Sequence, residues 1–223
     1  IYADDCSESN VIPELTSKFG NIVVTRTNAN GGFVINTNKG ADAAKGRYLV
    51  LLNNDAVVLP SWLDGLLNVI QSNEKCWVAG SKMLYADGKL QEAGAGLWTD
   101  GRALNQGRGS LSTVPEWNHI REVDYISFAS VILRKELWNS VGGLSTQYGF
   151  GYFDDSDFCM NVRANNGVVL YSPDSEIVHN ESSTFSKRKC KLSAEEKKRN
   201  SILFRTKWVS QLIKDHLCFD LQH

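Results

Sequence analysis

An α/β fold, built on a mostly parallel central sheet with flanking helices, is what this sequence predicts, and three observations predict it. The runs "NIVVTRT" (21–27) and "RYLVLLN" (47–53) are apolar without alternation, as strands buried on both faces are. Between them, "VINTNKGADAAKG" carries the Ala and Lys of a helix and closes on Gly46, which makes strand, helix and strand a βαβ unit. The alternation then continues, with an amphipathic helix over 60–73, where Trp62, Leu66 and Ile70 recur at helical spacing, and a strand over 76–84.

The remaining elements follow in order. Residues 85–123 are Gly-rich with few apolar runs and read as irregular hairpins and loops over the surface. A strand and a short helix occupy 123–143 and stop at Gly142-Gly143. "DDSDFCMNVRANNG" (154–167) reads as a helix with acids crowding its first turn, followed by the strand "VVLYSP". After "HNESST" comes a basic loop, "SKRKCK" (186–191). The last element is a terminal amphipathic helix opened by Ser193 and Glu196 as a capping box, with Phe204, Trp208 and Leu212 on one face. The reading divides the chain into a domain over 1–185 and a basic loop with its terminal helix over 186–223.

Composition excludes several classes of function. At 223 residues the chain can bury a real core, and its 42% apolar and 22% charged residues are ordinary for a globular protein. A net charge of −1 gives no electrostatic case for nucleic acid or an acidic membrane surface. No run approaches the ~18–20 apolar residues of a membrane-spanning helix. "IYADDCSESN" carries no signal-peptide pattern. The five cysteines are odd in number, scattered and without a C-x-x-C pair, which argues against a disulfide framework and a zinc site. A reducing setting, cytoplasmic or on the cytoplasmic face of a membrane, is the expectation.

What remains is an unusual placement of acids. "YLVLLNNDAVVLP" (48–60) interrupts an apolar run with Asn53-Asn54-Asp55. Such a tripeptide makes a good turn, but it also falls at a strand's carboxyl end, where open α/β sheets hold ligands. "DDCSES" (4–9) sits at another strand end, and His179 follows a third closely. Asp154, Asp155 and Asp157 crowd one helix start, where the dipole favours a carboxylate but mutual repulsion opposes three. Oxygen from Asp55, an amide or water-mediated contact from Asn53 and imidazole from His179 suit Mn²⁺ or Mg²⁺, ions that escort a diphosphate.

Five stretches in register resemble one family. "NANGGFVINTNKGADAAKGRYLVLLNNDAVVLPSWLDGLL", "DGKLQEAGAG", "GGLSTQYGFGYFDDSDFCMNVRANNG" and "HNESST", with "ADDCSES" ahead of them, are similar in order and spacing to the inverting family 2 glycosyltransferases of the GT-A fold. The rhamnosyl- and galactofuranosyl-transferase branch is the nearest pattern. The resemblance implies metal-dependent, inverting transfer of a hexosyl or deoxyhexosyl unit from a UDP- or dTDP-linked donor to a hydroxyl of a glycan or other acceptor. It implies a general base at Asp155 and metal ligation by Asp55 and His179. Donor contacts fall on Asp4, Ser7, Asn30, Gly31, Asn38, Asn53, Asn54 and Asp55, and acceptor contacts on Asp154, Asp157 and Trp98.

Two departures stand out. Phe128 occupies a position where the family commonly has Gly, and its ring would fill space that belongs to a sugar in relatives. The family also places a βα unit ahead of the first acidic turn, so a chain opening at "IYADD" reads as lacking it: either a piece of a longer polypeptide with other domains, or a shortened relative. The rival reading is a non-catalytic GT-A-like module that binds nucleotide or glycan, or an inactive fragment.

Overall fold

The computed structural model describes residues 1–8, 11–180 and 194–215. Its strands are β1 (Tyr2–Asp4), β2 (Val24–Arg26), β3 (Tyr48–Leu52), β4 (Ala56–Val58), β5 (Cys76–Leu84), β6 (Leu90–Glu92), β7 (Ala95–Leu97), β8 (Ala103–Asn105), β9 (Arg121–Glu122), β10 (Ser130–Arg134) and β11 (Val168–His179). Its helices are α1 (Val11–Lys18), α2 (Gly32–Ala43), α3 (Trp62–Ser72), α4 (Lys135–Val141), α5 (Asp154–Ala164) and a long terminal helix, α6 (Ala194–Asp215).

The seven-stranded central sheet runs β3-β10-β5-β11-β4, with β6 added to β5 and β9 to β11. It is mixed, where the sequence led us to expect mostly parallel strands. β5 and β11 are parallel, whereas β10 lies antiparallel between β3 and β5, and β4 runs antiparallel along β11. Unbroken apolar runs report burial on both faces and carry no information about direction, so the misreading has a simple cause. The expected βαβ unit also forms elsewhere: β1 and β2 make a separate parallel pair bridged by α1, and α2 crosses from that pair to β3 in the large sheet.

Packing of the helices follows their apolar spacing. Leu66, Val69 and Ile70 of α3 are fully buried against Cys76, Ala79 and Ile132 of the sheet. Close approach depends on Gly65: a Cβ there would meet the backbone N of Ser175 at 2.7 Å, and the Gly65 carbonyl instead accepts the Ser172 hydroxyl at 3.0 Å. The main core gathers Val34, Val78, Val131, Phe158 and Tyr171 with Phe204, Trp208 and Leu212 of α6. The terminal helix thus docks on the face its spacing indicated, and it shares one core with the residues before it. Phe128 joins the same core, edge-on to Phe158 at 5.4 Å between ring centroids.

No helix among the described residues is long and apolar enough to cross a membrane. Glu181 to Thr184 of the "HNESST" motif, the "SKRKCK" loop, Ser193 of the capping box, Cys190 and Cys218 lie outside the described residues.

Candidate active site

The Asn53-Asn54-Asp55 tripeptide is a turn, and its position gives it more than a turn's role. The Asn53 N–H donates to the Ala129 carbonyl at 2.9 Å, and the Ala56 N–H closes the turn on the Asn53 carbonyl at 3.2 Å. Chain direction reverses into β4, whose register on β11 sets Ala56 opposite His179. That register brings Asp55 beside His179: Oδ1 and Nε2 are 3.3 Å apart, and both side chains are largely buried. The Asn180 N–H holds the Asp55 carbonyl at 3.1 Å.

Gln91, on β6, fixes the imidazole from behind. Its Oε1 lies 2.8 Å from His179 Nδ1, and its Nε2 donates to the His179 carbonyl at 3.3 Å. A carbonyl accepts only, so the amide's NH₂ must face it and the amide oxygen must face Nδ1. Nδ1 therefore donates to Gln91, and the Nε2 edge of the ring faces the Asp55 carboxylate. Gln91 sits in the "LQEAG" motif, but a glutamine reads as surface from sequence; its 2% exposure is a tertiary fact.

Three consecutive residues join this half of the site to the acids of α5. The Ser127 N–H donates to Glu92 Oε1 at 2.9 Å, the Phe128 backbone lies close enough to the Asp155 carboxyl to oppose the rise of its titration, and the Ala129 carbonyl takes Asn53. The Phe128 ring itself is buried in the core.

The α5 acids have separate fates. Asp155 accepts the Ser156 N–H at 2.7 Å and its hydroxyl at 3.3 Å; burial nonetheless raises its carboxyl above the usual range. Asp154, 4% exposed, is raised too, by burial first and by the adjacent Asp155 second. Asp157 looks the other way. It accepts Tyr148 Oη at 3.0 Å, Trp208 Nε1 at 2.7 Å and Lys207 Nζ at 2.8 Å, so both its oxygens are engaged in docking α6. These contacts turn it toward α6, and Arg163, six residues on, pairs with Asp124 at 3.3 Å.

At the N-terminal end, Asp4 is buried with its Oδ2 at 2.9 Å from Arg26 Nη1, while the Ser7 N–H points at both its oxygens from 3.3 Å. Arg26 Nη2 donates to the Ser7 carbonyl at 2.7 Å and knits the turn. Asp5, which sequence reasoning passed over, organises the Asn30-Gly31 loop: it accepts the N–H groups of Gly31 and Gly32 at 2.8 Å each and Thr27 Oγ1 at 2.9 Å. A carboxylate on the first N–H groups of α2 satisfies donors the helix leaves open. The glycine that conformation demands is Gly32 rather than Gly31, with φ +79° and a virtual Cβ 2.5 Å from Phe150 Cα. Asn38 grips the Leu144 backbone through both amide arms at 2.9 Å, a fastening between α2 and the turn after α4.

Trp98 closes the β7–β8 hairpin, with its N–H on the Arg102 carbonyl at 2.9 Å. Beside it Gly101 abuts Arg205 and Phe204 of α6, so this hairpin backs onto the terminal helix. Among the described residues no three His, Cys, Asp or Glu side chains gather to hold a metal by themselves. Asp55 and His179 stand together as a pair.

A family model described as "Glycosyl transferase family 2" matches residues 1–131, the stretch that holds the Asn53-Asn54-Asp55 turn and Gln91. The chain belongs to that family. It is 32% identical over 155 residues to the O-antigen biosynthesis protein RfbC of Myxococcus xanthus, matching 66% of this chain and 12% of RfbC. An uncharacterized glycosyltransferase of Haemophilus influenzae is 26% identical over 162 residues, with 73% of this chain and 51% of that protein covered. The y4gI protein of Sinorhizobium fredii is 27% identical over 155 residues, or 66% of this chain and 17% of its own length. The family 2 chain therefore spans between about an eighth and a half of these relatives.

Two solved structures share the fold. GalNAc-T7 with UDP, GalNAc and Mn²⁺ superposes with a TM-score of 0.72 at 12% identity, covering 92% of this chain and 41% of that one. Staphylococcus aureus TarS 1-349 in complex with UDP-GlcNAc gives 0.58 at 16% identity, covering 95% and 64%. The fold of this family 2 domain is GT-A.

Proposed function

We propose that this domain transfers a hexosyl or deoxyhexosyl unit, with inversion, from a UDP- or dTDP-linked donor to a hydroxyl of a glycan acceptor, with Mn²⁺ or Mg²⁺ at Asp55 and His179. The observation that carries the reading is the backbone of residues 127–129, which ties Asp155 to the same scaffold as the Asp55–His179 pair. The two side chains fit a divalent ion of this kind. Hard cations take one or two protein ligands and fill their shell from substrate phosphate and water, and the Nε2 edge of His179 is already turned toward Asp55. When bound, the metal would neutralise charge growing on the leaving diphosphate.

The chain's own groups supply the remainder. The acceptor hydroxyl forms its new bond to the anomeric carbon on the face opposite the diphosphate. The bond from that carbon to the diphosphate oxygen breaks, its electron pair leaving on the nucleoside diphosphate, and the hydroxyl proton passes to Asp155. A carboxyl raised by burial is a stronger base than an ordinary one, and such catalysis contributes roughly 10²–10⁴-fold. Glu92 and the loop 127–129 orient it, while Asp154 beside it keeps the pair from ionising together at low pH. The Asp5-capped loop with Asn30 and the Asp4–Ser7 turn border the nucleotide end.

The test is calorimetric titration of UDP and dTDP, with and without Mn²⁺, on the wild type and Asp55→Ala. Binding of one nucleotide that needs the metal and is lost in Asp55→Ala supports the reading. No binding with metal present overturns it. Metal-dependent binding without turnover of any donor selects the non-catalytic module.

A further inference from the structure

The turn that delivers Asp154 and Asp155 is backbone under strain. Gly149 and Gly151 have φ of +62° and +138°, and the two bulky residues that follow, Tyr152 and Phe153, are also left-handed at +67° and +70°. Such values in aromatic residues cost of order 1–3 kcal/mol each and persist only where the surroundings enforce them. The enforcing group comes from α6. Asn200, 1% exposed, aims its Nδ2 at three carbonyls of this turn: Tyr148 at 2.8 Å, Gly151 at 2.9 Å and Tyr152 at 3.3 Å. Arg199 Nη1 donates to the Asn200 amide oxygen at 3.2 Å, which sets which arm of the amide faces the turn. Lys197 Nζ sits 4.1 Å from the Tyr152 ring centroid, and Arg199 Nη2 holds the Gln147 carbonyl at 3.0 Å. On its other side the turn meets α2, where the Phe33 N–H donates to the Phe150 carbonyl at 3.1 Å.

Asn200 also breaks a pattern. It stands at i−4 from Phe204 on the stripe that continues through Trp208 and Leu212, a polar residue on a face that is otherwise core. A buried amide in such a place lowers stability unless its donors are satisfied, and here three backbone carbonyls satisfy them.

We propose that Asn200 is a positioning residue for Asp155: the terminal helix, through this one amide, holds the 148–153 turn in the conformation that starts α5 at Asp154 and sets the Asp155 carboxyl against the Phe128 backbone. The inference rests on Asp155 as the base, and its test is independent of transfer. The Asp155 carboxyl is followed by ¹³C NMR titration in the whole chain, and exchange of the Ser156 and Asp157 amides is read alongside. The variants are Asn200→Leu, which keeps the shape and removes the donors without adding a charge, Asn200→Ala as a second in case the first does not fold, and Leu212→Ala. The last loosens the docking of the same helix without touching the turn.

In the Asn200 variant the Asp155 midpoint falls toward the ordinary value of about 3.9. The Ser156 and Asp157 amides exchange faster, and Leu212→Ala shows neither change. Asp154, Tyr125 and Cys159 face the same carboxyl and are common to all variants, so they do not produce the difference. An unchanged midpoint in a folded Asn200 variant overturns the proposal, and so does an equal change in Leu212→Ala. Loss of transfer in Asp155→Asn tests the base itself, and the two failures are told apart because titration and exchange need no sugar donor.

Discussion

Gln91 holds His179 at two points, the ring nitrogen Nδ1 at 2.8 Å and the backbone carbonyl at 3.3 Å, and the second contact decides the chemistry of the first. Because the carbonyl can only accept, the glutamine cannot turn over, and the imidazole is held with its Nε2 edge toward Asp55. The proposed metal site, with Asp55 and His179 as its ligands, depends heavily on such preorganisation.

Gln91→Ala therefore weakens Mn²⁺-dependent UDP binding by about 10–100-fold, the range found when outer partners of ligating histidines are removed. Calorimetry checks it, and metal-free folding measured by circular dichroism stays intact. Unaltered affinity would show that the histidine needs no support.

Asp155→Asn lowers the rate of transfer by ~10²–10⁴-fold while nucleotide binding is retained. In the wild type the rate climbs as pH rises through the raised carboxyl titration, since only the ionised form accepts a proton. A pH–rate profile of single turnovers, with a sugar donor carrying whichever nucleotide the titration selects, reads both effects. A flat profile would remove Asp155 from the role.

The same carboxyls make a stability prediction, with a definite sign. Asp154 is raised in the folded chain, so its contribution is fully present below the unfolded value near 3.9 and is lost as pH rises through the folded one. Asp154→Asn, which cannot ionise, should consequently melt higher than the wild type at pH 8 and nearly level with it at pH 4. Melting curves at the two pH values decide it.

Asp157→Ala leaves Trp208 Nε1 and Tyr148 Oη without their shared acceptor. Each buried donor stranded in this way costs roughly 1–3 kcal/mol. Urea unfolding should show that loss, whereas Mn²⁺-dependent UDP binding persists. A larger effect on binding than on stability would return Asp157 to the site.

Much of this was legible in the chain. Helical spacing of Phe204, Trp208 and Leu212 announced the docked face of α6, and Trp62, Leu66 and Ile70 announced α3. The juxtaposed Asp55 and His179 were readable only through motif order, because nothing local in either sequence points to the other. Asp5 was hidden for a different reason: beside Asp4 it looked like one more acid, and its role as the cap of α2 depends on a loop far along the chain. The contacts of Asp157 with Tyr148, Lys207 and Trp208 were not legible, because three acids within four residues look alike until the fold turns one of them inward.

By itself the sequence determined the family, the α/β class, the positions of the helices from α2 onward, and which residue types stand at strand ends. Those properties are local or periodic, and the chain states them directly. Tertiary structure alone decided strand direction, the ring orientation of His179, the left-handed turn under Asn200 and the division of labour among Asp154, Asp155 and Asp157. Each of these depends on which backbone carbonyl or side chain comes within about 3 Å of a polar atom, and only the folded chain fixes that.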